Sequence, residues 1–126
     1  MTTKTVIDID SAGEITFNSD KVKASGYYGF TNGDHSISLK LTEFTGRIYV
    51  QASLVFDPNE EDWFNISITD NIYDQYPKPT DPPFNGTIFY NFEVNAVWIR
   101  IRIDREYLNN PVIEIVGSVE KAYLNY

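Results

Sequence analysis

A chain of 126 residues is enough for one domain with a real core, and 42% hydrophobic with 15% aromatic residues rules out a disordered tail. Eighteen acidic against ten basic residues give a net charge of −8, which repels nucleic acid phosphates and favours solubility or a basic partner surface. Cysteine is absent, so disulfides, thiolate nucleophiles and cysteine-based zinc sites are all excluded.

In chain order, the opening residues Met1 to Val6 lack the apolar run of a signal peptide, and no stretch has the length of a membrane helix. Cytoplasmic synthesis is therefore expected, with no membrane partner. Val6 to Ile9, Glu14 to Phe17 and Lys21 to Tyr28 read as short strands. His35 to Thr42 sets Ile37, Leu39 and Leu41 on one side. From Arg47 the alternation is stricter, with Ile48, Val50, Ala52, Leu54 and Phe56 on the inner face. Arg47, Tyr49, Gln51 and Ser53 alternate outward.

Phe64 to Asp70 places Phe64, Ile66 and Ile68 together, and Thr87 to Val94 does the same for Ile88, Tyr90, Phe92 and Val94. The segment from Val97 to Asp104 sorts most cleanly. Val97, Ile99, Ile101 and Ile103 face one way, while Trp98, Arg100, Arg102 and Asp104 face the other. Asp104 to Leu108 offers at most one helical turn. Ile113, Ile115 and Val119 share a face, with Gly117 a bulge candidate.

Asn32-Gly33-Asp34, Asp57-Pro58-Asn59, Asn109-Asn110-Pro111 and similar clusters punctuate the strands. The fold class that follows is all-β: an antiparallel β-sandwich of jelly-roll type, about eight strands in a single domain over 1–126. Residues 70–85 interrupt the pattern with four of the six prolines, which disfavour sheet pairing and predict an extended excursion. Its Tyr73, Tyr76 and Phe84 suit a contact arm, and a long connection across one end of the sandwich is the alternative.

Residues for catalysis are sparse. The single histidine, His35, lies at a strand start, and nothing marks Ser36 or Ser38 as a nucleophile, so a structural histidine is expected. No phosphate-loop, dinucleotide or zinc-protease motif occurs, and no cofactor is implied. Asp57, Asn59, Glu61 and Asp62 crowd one turn with enough oxygens for calcium, although a solvated acidic turn is the plainer reading. Asn65-Ile66-Ser67 and Asn85-Gly86-Thr87 match the glycosylation sequon and read as chance matches without a secretion signal.

The aromatic residues say more. Tyr27, Tyr28, Tyr49, Tyr73, Tyr76, Trp98 and Tyr107 fall on expected loops or outward strand positions, where rigid rings supply contact area. Arg100 and Arg102 share the Trp98 face, as cross-strand ion pairs or as part of a polar interface.

Gly26-Tyr27-Tyr28-Gly29, then Gly46 to Gln51, then Glu61-Asp62-Trp63-Phe64, with the surrounding chain from Gly26 to Asp104, resemble small virion structural proteins of T4-like tailed phages, especially cyanophages. More distantly, the strand order resembles galactose-binding jelly-roll modules. The first resemblance implies a non-enzymatic virion component (head decoration, neck, tail or fibre) assembled in the host bacterial cytoplasm. Its partners would be other virion proteins and copies of itself. The second implies a carbohydrate-binding module for adhesion to a host surface, with a glycan as partner. Tyr27, Tyr28, Tyr73, Tyr76, Trp98, Arg100, Arg102 and Tyr107 are the candidate contact residues under either.

Overall fold

The structure, a computed structural model, describes residues 4–8, 16–29, 33–69, 71–76, 78, 81–82, 84–106 and 118–125. Ten strands occur among them: β1 (Lys4–Asp8), β2 (Thr16–Asn18), β3 (Val22–Lys23), β4 (Asp34–Phe44), β5 (Gly46–Ser53), β6 (Phe64–Asn65), β7 (Asp74–Tyr76), β8 (Phe84–Glu93), β9 (Trp98–Asp104) and β10 (Ser118–Asn125). They form two antiparallel sheets packed face to face, an all-β sandwich. The first sheet has the order β1-β10-β4-β8. In the second, β9 and β5 lie side by side at the centre, flanked by β2 and β3 on one side and by β6 and β7 on the other.

The alternation read from sequence produces the core. β4 turns His35, Ile37, Leu39 and Leu41 inward and leaves Asp34, Ser36 and Lys40 exposed. Facing them, Ile48, Val50 and Ala52 of β5 and Ile99, Ile101 and Ile103 of β9 are fully buried. Each aliphatic side chain withdrawn from water this way is worth roughly 1.5–3 kcal/mol. β5 and β9 pair without a shift from Arg47↔Asp104 to Ser53↔Trp98, so inward positions meet inward positions along the whole ladder.

Several boundaries differ from the expected ones. β5 ends at Ser53, where the Val97 amide donates to the Ser53 carbonyl (2.9 Å) and the Ser53 hydroxyl accepts from the Val55 amide (3.2 Å). The chain bends there, so Leu54 (61% exposed) and Phe56 (64%) lie on the surface and leave the expected inner face. Phe64 is likewise exposed. Only Phe64–Asn65 pairs, while Ile66 beyond it is buried and hydrogen-bonded to the Val50 carbonyl.

Lys21 to Tyr28 is strand only at Val22–Lys23. A 3₁₀ turn over Ser25–Tyr28 follows, closed by Gly29 at φ 77°. Gly26 is required for space: a Cβ there would lie 2.5 Å from the Ala96 carbonyl oxygen, which accepts the Gly26 amide. The Gly-Tyr-Tyr-Gly run thus has one glycine for close approach and one for a left-handed cap.

The proline-rich stretch is anchored. Asp74–Tyr76, immediately before the first of these prolines, forms β7 and pairs with Gly46 to Ile48 of β5, contrary to the expectation that this segment avoids pairing. Phe84 and Asn85 already belong to β8. Asp104 closes β9, and its carboxylate accepts the Glu106 amide (2.8 Å) in a turn. The positions expected to pack at Ile113, Ile115 and Gly117 lie outside the described residues, whereas Val119 is buried in β10.

A polar clamp joins the sheets at one side. The Tyr90 hydroxyl of β8 donates to Asp74 Oδ2 of β7 (2.7 Å), and Lys78 Nζ lies 2.5 Å from Asp74 Oδ1. Burial, reinforced by the Asp74 carboxylate, pushes the Tyr76 phenol up to about 12 and the Tyr90 phenol higher still. Both phenols therefore stay protonated donors at any physiological pH. Removing the Tyr90 hydroxyl leaves a buried carboxylate short of one donor, so Tyr90→Phe is expected to lower stability by about 1–3 kcal/mol, read from the urea unfolding midpoint.

Candidate functional site

The outward side of the second sheet gathers most of the polar and aromatic residues singled out from sequence. Because β5 and β9 pair in register, their outward residues stand in rows: Arg47 beside Asp104, Tyr49 beside Arg102, Gln51 beside Arg100 and Ser53 beside Trp98. Flanking strands extend each row. Asn65 joins Gln51, Gln75 joins Arg47, Asn18 joins Arg102 and Lys23 joins Trp98.

The Gln51–Arg100 row is a continuous hydrogen-bonded chain. Gln51 Nε2 donates to Asn65 Oδ1 (2.9 Å), and Arg100 Nε donates to Gln51 Oε1 (2.7 Å). Arg100 then grips Glu60 with both terminal nitrogens, at 3.1 and 2.8 Å. Its guanidinium also lies 4.3 Å from the Trp63 ring centre. These contacts bury an arginine on the outward side of a sheet. Arg100 thus forms an ion pair within the chain, with a carboxylate of the 3₁₀ turn Glu60–Asp62 where a neighbouring strand was expected to supply it, and its hydrogen bond holds the exposed Glu60 carboxyl below its ordinary range. Arg102, by contrast, donates to the neutral Asn18 side chain (3.1 Å).

The acidic turn carrying Glu60 is self-capped. Asn59 and Asp62 exchange side-chain and backbone hydrogen bonds around the 3₁₀ turn Glu60–Asp62, with the Asn59 amide donating to Asp62 Oδ2 at 2.8 Å. Asp62 and Asn59 are thus occupied by the backbone, and Glu60 by Arg100. No group of three or more metal-ligating His, Asp or Glu side chains occurs among the described residues, so Asp57, Asn59, Glu61 and Asp62 are not gathered into an ion cage. A shallow cleft of about 290 Å³ opens above Arg100, between Ser19, Asp20 and Lys21 on one wall and Pro58, Glu60 and Trp63 on the other.

At the end of the same face, Tyr27, Tyr28, Phe56 and Trp98 form one aromatic group. Tyr27 is the hub, with ring centres 5.3 Å from Tyr28, 5.7 Å from Phe56 and 5.2 Å from Trp98. The Trp98 indole N–H donates to the Phe56 carbonyl (2.9 Å), tying the bend after β5 to β9. Lys21 lies over the Trp98 ring at 5.0 Å and Lys23 over Tyr27 at 4.7 Å. Next to this group, Leu54, Val55 and Phe56 are three consecutive exposed apolar side chains. Sequence reading missed them, because strand alternation was extended past Ser53.

At the opposite end, Tyr73 lies beside Tyr49 (5.8 Å) and under the Arg47 guanidinium (4.5 Å). Tyr76, expected as a contact residue, is instead in the core, packed on Phe84 at 4.7 Å, because β7 directs it inward. Tyr107 lies outside the described residues.

His35 is buried against Phe92, with the rings stacked 5.3 Å apart. The Ser25 amide donates to Nε2 (3.4 Å), which makes Nε2 the acceptor and leaves Nδ1 to donate to the Gly33 carbonyl (2.7 Å). Ser36, next to it, is exposed on the other face, and its hydroxyl donates to Asn91 Oδ1 at 2.6 Å. Of the sequons, Asn85 spends its side chain on Glu43: it accepts the Glu43 amide and donates to Glu43 Oε1, both at 3.0 Å. That bracket holds Glu43 at φ 49°, where β4 and β8 shift register. No protein-family profile matches the chain, and neither a curated protein nor a solved structure is significantly similar to it.

Two outcomes are expected from this geometry. Arg100→Ala removes charge-assisted bonds to Glu60 together with the Gln51 bond and the cover over Trp63, and should cost about 1.5–3 kcal/mol in thermal or urea unfolding. Burial lowers the His35 pKa below 6.5, against smaller opposing effects of the Gly33 carbonyl and Asp34. The unfolded chain therefore takes up this proton first. The associated stability is complete above about pH 6.5 and is lost as pH falls from there toward the folded-state value. Urea midpoints should drop between about pH 7 and pH 5, and His35→Gln should flatten that part of the curve.

Proposed function

We propose that this chain is a non-enzymatic structural protein of a phage virion that docks on other virion proteins through the aromatic end of its second sheet. The observation that carries the reading is the exposed run Leu54-Val55-Phe56, braced by Tyr27 and Trp98 on a rigid sheet end. Interface centres favour aromatic anchors within a charged rim. Here Lys21 and Lys23 lie over the Trp98 and Tyr27 rings, and the exposed Asp57 directly follows Phe56 in the chain. Strand order supports the jelly-roll form of the sandwich, since each sheet interleaves strands from the two halves of the chain and the ten strands fill eight sheet positions.

The alternative, a carbohydrate-binding module, is supported by the polar cleft over Arg100 with Trp63 in its wall. Against it, Trp63 and Trp98 already lie against Arg100 and Lys21, and Tyr27 is tilted by 51–75° to the rings around it, so it offers a sugar no face parallel to theirs.

The test is incorporation into particles. Wild-type chain is expected to sediment with purified phage particles at fixed stoichiometry, and Leu54→Ser with Phe56→Ser to reduce incorporation at least about tenfold while retaining the wild-type unfolding midpoint. Particles that lack the chain would sink the assembly reading. A glycan array showing saturable binding lost in Trp63→Ala would favour the alternative.

A further inference from the structure

A second surface, on the other sheet, carries an inference that does not depend on what the aromatic end contacts. β8 is ten residues long and lies at the edge of the first sheet, where β4 is its only strand neighbour among the described residues. Asn85, Gly86, Thr87, Phe89, Asn91 and Glu93 are exposed along it, Phe89 by 70%. Ile88, which turns toward the core, is only half-buried, as expected of a side chain at an open edge.

Long open edges are ordinarily guarded by lysines, prolines, bulges or short length. From Thr87 to Glu93, β8 has no proline and no lysine, and Glu93 is its single charge. Its one register irregularity is confined to its start, opposite Leu41 to Phe44. The composition, Thr-Ile-Phe-Tyr-Asn-Phe, is that of a strand suited to further pairing.

We propose that β8 is a homotypic seam, pairing antiparallel with β8 of a second copy about a two-fold axis at Tyr90, so that two four-stranded sheets become one continuous sheet. A strand with a single charge avoids the repulsion that a net charge of −8 would impose on most other contacts between copies. The axis at Tyr90 also gives charge complementarity. It sets Glu93 of one copy opposite Thr87 of the second copy, and Thr87 is the register partner of Lys40 on β4. Glu93 and Lys40 of opposite copies then stand two strand spacings apart, about 10 Å between Cα atoms and within reach of their side chains. The two-fold produces that pair twice. Phe89 of each copy covers Asn91 of the other, which removes from water the most exposed aromatic ring among the described residues.

Light scattering across micromolar to near-millimolar concentrations should show a wild-type dimer. Phe89→Lys places two like charges on diagonal neighbours across the axis and should weaken the dimer at least about tenfold. Phe89 is exposed, so the variant should keep the wild-type unfolding midpoint. The cysteine-free chain permits a test of register. A mixture of Phe89→Cys and Asn91→Cys chains should form a disulfide-linked dimer under mild oxidation, faster than Leu54→Cys chains do. A monomer at all concentrations, a dimer indifferent to Phe89→Lys, or cross-linking no faster than the Leu54→Cys control would each overturn the seam. None of these outcomes bears on incorporation through Leu54 and Phe56, so the two readings fail separately.

Discussion

The unshifted pairing of β5 with β9 is the constraint from which the rest of the molecule follows. Seven consecutive register pairs, Arg47↔Asp104 to Ser53↔Trp98, hold six aliphatic side chains inward with no irregularity. A slip of one residue would turn one strand over, sending either Ile48 and Val50 or Ile99, Ile101 and Ile103 to water and bringing Tyr49, or Arg100 and Arg102, into the core. Because that alternative is so costly, the inward pattern also dictates the outward one. The rows of polar and aromatic residues on the outer face are the other half of the same register.

That outer face is organised well beyond what an exposed sheet requires. Arg100 is covered as thoroughly as many core residues, although it points away from the core, because Glu60 and Trp63 fold back over it from the turn after β5. The acidic turn can fold back because Asn59 and Asp62 cap it internally. At the neighbouring end, the Trp98 indole ties down the Phe56 backbone, so the exposed apolar run is displayed from an anchored bend. Rigid presentation lowers the ordering cost of any contact that surface makes.

Legibility in the sequence followed the length of each periodic run. Ile37 to Leu41, Ile48 to Ala52 and Ile99 to Ile103 were readable because two-residue alternation over several residues sorts cleanly only as strand. Leu54 and Phe56 continue that alternation in the sequence yet lie on the surface, because Ser53 spends its carbonyl and hydroxyl on stopping the strand. β7 was hidden for the opposite reason. The four prolines that follow Tyr76 obscured three residues that pair well with β5 and carry Tyr76 inward. Arg100 could be placed on its face from sequence, but its choice of Glu60 required knowing where a turn 40 residues away would land.

Taken alone, the sequence determined the all-β class, the inward set of the central strands and the outward company of Trp98, Arg100 and Arg102, since these depend only on neighbours two residues apart. Tertiary structure alone decided where strands stop, which segments share a sheet and which surface aromatics meet. Those outcomes turn on hydrogen bonds and ring contacts between residues far apart in the chain, such as Trp98 with Phe56 and Tyr90 with Asp74, and local periodicity carries no record of them.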